Sequence, residues 1–134
     1  MNSDFRDLEE LARKLYGQVF VQGEYDSFSL ALEADVIEFF RAAGEPEGDV
    51  FVRAKILSMD ELQRAGDFAK AALAGNYFWD GTGGATISLG NDNAFYLTER
   101  RSIDEIADEE CLEQCLDDFT STLGDWRERS VLYA

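Results

Sequence analysis

The chain contains no histidine, which removes the commonest general base and metal ligand at neutral pH. A Ser-His-Asp triad is excluded with it. Serine activated by lysine remains formally open, with no serine marked out for it. The run Gly81-Thr82-Gly83-Gly84 invites a phosphate-loop reading. No lysine follows it, however, and a strand pattern rather than a helix comes next, so the N–H cradle of such a loop is not expected. The run reads instead as a flexible connection into a hairpin. Cys111 and Cys115 lie four apart in a helical pattern. One helical turn does not present them in disulfide geometry, and no third or fourth soft ligand completes a metal site. They read as two partly buried thiols on a helix flank in a reducing compartment. Carboxylates are abundant, yet nothing sets one pair apart for acid/base work. No catalytic, cofactor-binding or metal-binding residue is assigned, and binding is the expected activity.

The elements that carry these residues belong to a chain of 134 residues, 46% hydrophobic, with one proline. That size and composition predict a single folded domain over residues 1–134 with a real core. Twelve basic residues stand against 28 acidic ones, a formal net charge of −16. Such a surface repels phosphate backbones and anionic lipid, so neither nucleic acid nor a membrane is an expected partner. The acidity serves solubility, or a basic or aggregation-prone protein partner. Met1 to Glu10 is acidic and lacks the apolar stretch of a secretory signal, and no run reaches the length of a membrane span. The expected location is the cytoplasm.

Phe5, Leu8, Leu11, Ala12 and Leu15 form one apolar stripe and predict a helix over about Asp4 to Tyr16, with Ser3 capping its start and Gly17 its end. A loop through Gly23 follows. Phe28 to Leu32, Val36 to Phe40 and Val50 to Leu57 read as three strands, the last two joined by a turn over Gly44 to Asp49 around Pro46, in an antiparallel meander. Ser58 and Glu61 form a capping-box pattern opening a second helix to about Ala74, ended by Gly75. Its face, Leu62, Ala65, Ala69, Ala72 and Leu73, consists mostly of small residues that allow close approach, either by a second copy or by the chain's own sheet.

After the break around Tyr77, Phe78 and Trp79, Ala85, Ile87 and Leu89 alternate as a strand. Gly90 to Asn93 forms a turn, and Phe95 and Leu97 continue in a partner strand. Ser102 and Glu105 repeat the capping-box pattern ahead of a last helix. Its apolar stripe ends on Leu116, Phe119, Leu123 and Trp126. The acidic run Asp104 to Asp118 is its solvated face. Tyr25, Phe28, Phe39, Phe40, Tyr77, Phe78, Trp79, Phe95 and Tyr96 are many aromatics for one core. More than half are expected inside, with the others in exposed grooves that receive a partner.

The order α-β-β-β-α-β-β-α in a small acidic chain predicts an α+β fold, a twisted antiparallel sheet flanked by helices. With the stretch "AALAGNYFWDGTGGATISLGNDNAFYLTERRSIDEIADEECLEQCLDDFTSTLGDW" and the strand pair "FSLALEADVIEFFRA", it resembles the class I type III secretion chaperones, the Tir-chaperone (CesT-like) family. The matching features are a helix ending near Asn76, a glycine-flanked hairpin over Ala85 to Thr98, and the spaced series Leu116, Phe119 and Trp126. The resemblance covers nearly the whole chain.

The resemblance implies a homodimer, in the bacterial cytoplasm, that binds the N-terminal region of a secreted effector. It would hold that region extended, soluble and secretion-competent, without ATP or any cofactor. Phe5, Leu8, Leu11, Leu15, Ile87, Leu89, Phe95 and Leu97 are the expected effector contacts. Leu62, Ala65, Ala69 and Leu73 are the expected dimer face. Two other readings stand beside this one: a YbjN-like regulatory protein-binding domain of the same fold, and an acidic inhibitor that mimics nucleic acid.

Overall fold

Phe5, Leu8 and Ala12 recur at helical spacing and are all buried, and they set helix α1 over Phe5–Tyr16. The computed structural model describes residues 4–33, 35–42 and 48–134. After α1 come strands β1 (Phe20–Gln22), β2 (Ser27–Leu32), β3 (Asp35–Arg41) and β4 (Asp49–Ser58). Helix α2 (Ala65–Asn76), strands β5 (Thr86–Leu89) and β6 (Ala94–Ser102), and helices α3 (Ile103–Ile106) and α4 (Glu109–Ser130) complete the order. The fold is α+β, with one antiparallel sheet of six strands in the order β1-β2-β3-β4-β6-β5, so β1 and β5 are its edges. The expected β2-β3-β4 meander is present, with Phe28 opposite Phe39 and Phe39 opposite Val52.

The chain divides into two compact units, Met1–Arg53 with Arg100–Asp117, and Ala54–Glu99 with Asp118–Ala134. The first is built around Phe28, whose ring stacks on Phe39 at 4.7 Å and on Phe20 at 5.2 Å and meets Phe5 at 5.6 Å. Leu8, Leu30, Ile37, Ile103, Ile106 and Leu112 close this core. In the second unit Phe68 is the hub, edge-on to Phe95 at 4.9 Å, Tyr133 at 5.6 Å and Trp126 at 6.0 Å. The fully buried Trp126 donates its indole N–H to the Gly81 carbonyl at 2.9 Å. A Cβ at Gly75 would lie 2.5 Å from the Trp126 ring, so glycine is required there by contact rather than by backbone angle. Arg127 donates to the carbonyls of Ile56 (2.9 Å) and Lys55 (2.7 Å), and burial lowers its pKa.

Several local expectations are corrected. Helix α1 is capped by Asp4: its carboxylate accepts from the Asp7 N–H, and the Asp7 carboxylate accepts from the Asp4 N–H, each at 3.0 Å. The expected cap Ser3 lies outside the described residues, as does most of the expected Gly44-to-Asp49 turn. The loop through Gly23 contains the extra strand β1. Ser58 and Glu61 do pair, the Ser58 N–H donating to the Glu61 carboxylate at 2.7 Å, but they open only a 3-10 turn. The extended backbone of the buried Leu62 ends that turn, and α2 starts at Ala65. It runs through Gly75 to Asn76. The last helical segment is split in the same way. Ser102 precedes the four-residue α3, and Asp108 then caps α4 by accepting the Cys111 N–H at 2.8 Å. A carboxylate that reaches a free N–H one turn on restarts the helix wherever it stands.

Of the nine aromatics, only Phe28, Phe39 and Phe95 are buried, which overturns the expectation that most fill the core. Phe5, Phe68, Phe119 and Trp126 take the inner positions instead.

Candidate partner-binding site

The first accessible feature is the β1 edge. In β1, the register with β2 pairs Val21 with Ser29, and the flanking bonds from Ala31 N–H to the Val19 carbonyl and from Gly23 N–H to the Ser27 carbonyl fix the phase. Residues 19, 21 and 23 therefore bond inward. The N–H and C=O groups of Phe20 and Gln22 point away from β2, and no described residue takes them. Helix α1 positions this edge. Arg13 lies 4.6 Å over the Phe20 ring and donates to the Gln22 side-chain oxygen at 2.6 Å, while Gln22 donates to Glu9 at 3.2 Å. Leu11 and Leu15 of α1 are half-buried, and Val21 is exposed.

The second feature lies in the other unit. Leu73 of α2 is 70% exposed, and the residues after the helix, Tyr77, Phe78 and Trp79, are 72%, 71% and 53% exposed. Leu89 of β5 is exposed as well. The Tyr77 and Phe78 rings meet edge-on at 4.7 Å. Phe78 and Trp79 have φ of 50° and 59°, left-handed values that are costly for bulky residues. Three exposed aromatic rings in a row, two of them on left-handed backbone, point to a contact surface.

The expected site residues divide by burial. Phe5, Leu8, Ile87, Phe95 and Leu97 are buried in their units, with Ile87 opposite Leu97 and Leu89 opposite Phe95 across the hairpin. Leu11, Leu15 and Leu89 are the accessible members of the expected effector-contact set. In the expected dimer face, Leu62 is buried and precedes α2, Ala65 and Ala69 are half-buried, and Leu73 is exposed. Sequence reasoning missed the β1 edge, although Val19-Phe20-Val21 carries the β-branched and aromatic types of a short strand.

Charge adds no reactive group to these surfaces. Burial raises the pKa of Tyr16, and Glu113, Asp117 and Glu109 add to the effect. Cys111 is exposed, Cys115 is buried, and both are free thiols. The Asp108 side chain raises the Cys111 pKa, which makes that thiol a poorer nucleophile. Among the described residues, no three of Cys, Asp and Glu are grouped to hold a metal, and no helix is long and apolar enough to cross a membrane. What the geometry offers is a row of free backbone groups and exposed apolar side chains. Those are the means of binding another polypeptide.

A model of the Tir chaperone protein (CesT) family matches residues 7–127. The chain belongs to this family. No curated protein matches it. Among solved structures, a chain of the ExsC–ExsE complex superposes with a TM-score of 0.74 at 16% identity, covering 97% of each chain. A chain of the HopA1–SchA chaperone–effector complex gives 0.67 at 11% identity, covering 94% of this chain and 98% of that one. The structure of the Yersinia pestis type III secretion chaperone SycH with a stable fragment of YscM2 gives 0.56 at 15% identity, covering 96% and 98%. At such identities the likeness speaks for the fold alone, and the family assignment rests on the sequence match.

Proposed function

We propose that this protein is a homodimeric, ATP-independent chaperone of the bacterial cytoplasm that binds the N-terminal region of a type III secreted effector. It keeps that region extended, soluble and secretion-competent. The observation that carries this reading is the open β1 edge, with Phe20 and Gln22 presenting free backbone groups in a CesT-family chain. An effector segment joins β1 as an added strand and sets apolar side chains against Leu11, Leu15 and Val21. Ordering that segment offsets part of the contact energy, so the bound stretch is long. The net charge of −16 keeps the loaded complex dispersed. Leu89 is the accessible contact of the hairpin, while Ile87, Phe95 and Leu97, like Phe5 and Leu8, support these surfaces from inside. A second copy covers Ala65, Ala69, Leu73 and the aromatic residues 77–79, with Leu62 shaping the approach to α2 from beneath.

The test is co-expression with the protein encoded beside it, followed by capture of that protein's N-terminal segment. The variant Gln22→Pro removes an outward N–H together with the Gln22 side-chain bonds to Arg13, Glu9 and Ser27, and is compared with Gln22→Ala, which loses the side-chain bonds alone. Gln22→Pro is expected to weaken capture roughly tenfold beyond Gln22→Ala, the worth of about one to two hydrogen bonds. Capture of no secreted protein, or capture by Gln22→Pro no weaker than by Gln22→Ala, refutes the strand-addition reading. Light scattering that finds a monomer at micromolar concentration refutes the dimer.

A further inference from the structure

The two sheet edges are finished differently. In β5, the bond from Gly90 N–H to the Ala94 carbonyl sets the phase with β6, so Gly90 and Ser88 bond inward and Ile87 and Leu89 direct their backbone groups outward. Both outward groups of Ile87 are taken. The Asn76 side-chain N–H donates to the Ile87 carbonyl at 2.9 Å, and the Ile87 N–H donates to the Asn76 side-chain oxygen at 2.9 Å. A primary amide that donates and accepts on one residue reproduces the two bonds that a neighbouring strand would make there. The next outward N–H along the strand, that of Ala85, is held by the Thr82 carbonyl at 3.1 Å.

We propose that Asn76 acts as a surrogate strand that closes the β5 edge at Ile87, leaving Leu89 as its single open outward residue, so that an extended partner segment finds two successive open outward residues only at Phe20 and Gln22 of β1. An exposed edge is a template for any extended chain, and proteins blunt the edges they do not use. Asn76 blunts this one with a side chain placed at the last position of α2. Asn76 is thus a specificity-determining residue. It does not touch the incoming segment and decides where that segment cannot bind. The direction of addition rests on the chaperone reading, whereas the closure of β5 stands on the amide geometry alone.

Amide hydrogen exchange on the unaltered protein tests the closure without any effector. Ile87 is expected to be protected at least tenfold more than Phe20 and Gln22, which face outward at the other edge; Ile87 exchanging as fast as those two overturns the proposal. The variant Asn76→Leu keeps the bulk and loses both bonds. In it, Ile87 protection is expected to fall about tenfold, as for a lost hydrogen bond or two, while Ser88, bonded toward β6, stays within a few-fold. The opened edge is then expected to drive association beyond the wild-type mass in light scattering, reversed by adding Leu89→Pro, which removes the neighbouring outward N–H. Equal loss at Ile87 and Ser88 means that Asn76 only staples the hairpin, and an unchanged mass means that the edge was never a docking template; either result overturns the proposal. None of these outcomes depends on whether an effector is captured.

Discussion

The two compact units solve the same packing problem with different tolerances. The first gathers its core around Phe28, whose neighbours Phe5, Phe20 and Phe39 are rings lying against rings. The second gathers around Phe68, but its Trp126 ring presses on a glycine, Gly75, and its indole N–H closes on a backbone carbonyl, that of Gly81. Gly75 and Gly81 also meet each other directly, the Gly81 N–H donating to the Gly75 carbonyl at 3.1 Å. The first core has side chains that can shift, while the second has backbone within van der Waals distance of an indole. Each unit then leaves a different kind of surface open, free strand edge in the first and strained, outward-turned aromatics in the second.

The largest test of this contrast is truncation of the two hubs. Phe28→Ala and Phe68→Ala are each expected to cost about 3–5 kcal/mol in urea unfolding, since both rings are fully buried. A loss below ~1 kcal/mol at either would remove it as a hub. Gly75→Ala separates the units more sharply. A single methyl placed 2.5 Å from the Trp126 ring is expected to cost roughly 1–3 kcal/mol by overpacking, although alanine is the better helix former. A neutral or stabilising result would show that the indole can give way. A smaller effect is expected from Asp4→Ala, which removes the α1 cap and should cost about 1 kcal/mol, read from the same unfolding curves.

The smallest effect concerns a single titration. The Tyr96 hydroxyl donates to Asp92 at 2.5 Å, and this bond, helped by the Ala94 N–H, lowers the Asp92 pKa. A carboxylate lowered on folding contributes stability above its unfolded pKa and loses it as pH falls through its folded pKa. Tyr96→Phe should therefore move the Asp92 midpoint upward in an NMR titration and leave the rest of the profile in place. An unmoved midpoint would assign the shift to the backbone N–H instead.

Much of this architecture was readable residue by residue. Alternation gave β2 and the β5–β6 hairpin, because a strand with one buried face must repeat every second residue, and runs rich in β-forming apolar residues gave β3 and β4. The stripe through Phe5, Leu8 and Ala12 gave α1 for the corresponding reason at helical spacing. The site was less legible. Leucines spaced for a binding face read the same as leucines spaced for a core, and burial sent Phe5 and Leu8 inward while leaving Leu11 and Leu15 partly open. Strand β1 is three residues long, too short for a period to show, and its partner β2 defines it. Leu62 has the right spacing for α2 but is buried on extended backbone ahead of the helix, which starts at Ala65.

The sequence by itself determined the class of the protein: an acidic α+β domain without histidine chemistry, suited to holding another chain, with its strand pattern and most helix positions set by local periodicity and caps. Tertiary structure decided which surfaces remain for a partner. It left the outward backbone groups of Phe20 and Gln22 in β1 open and gave those of Ile87 in β5 to Asn76, residue 76 bonding to residue 87. It left Tyr77, Phe78 and Trp79 exposed, and it set the Trp126 ring, some fifty residues later in the chain, against Gly75. Those outcomes depend on contacts between residues far apart in the chain, and the energy of a distant contact is not written in the local pattern of either partner.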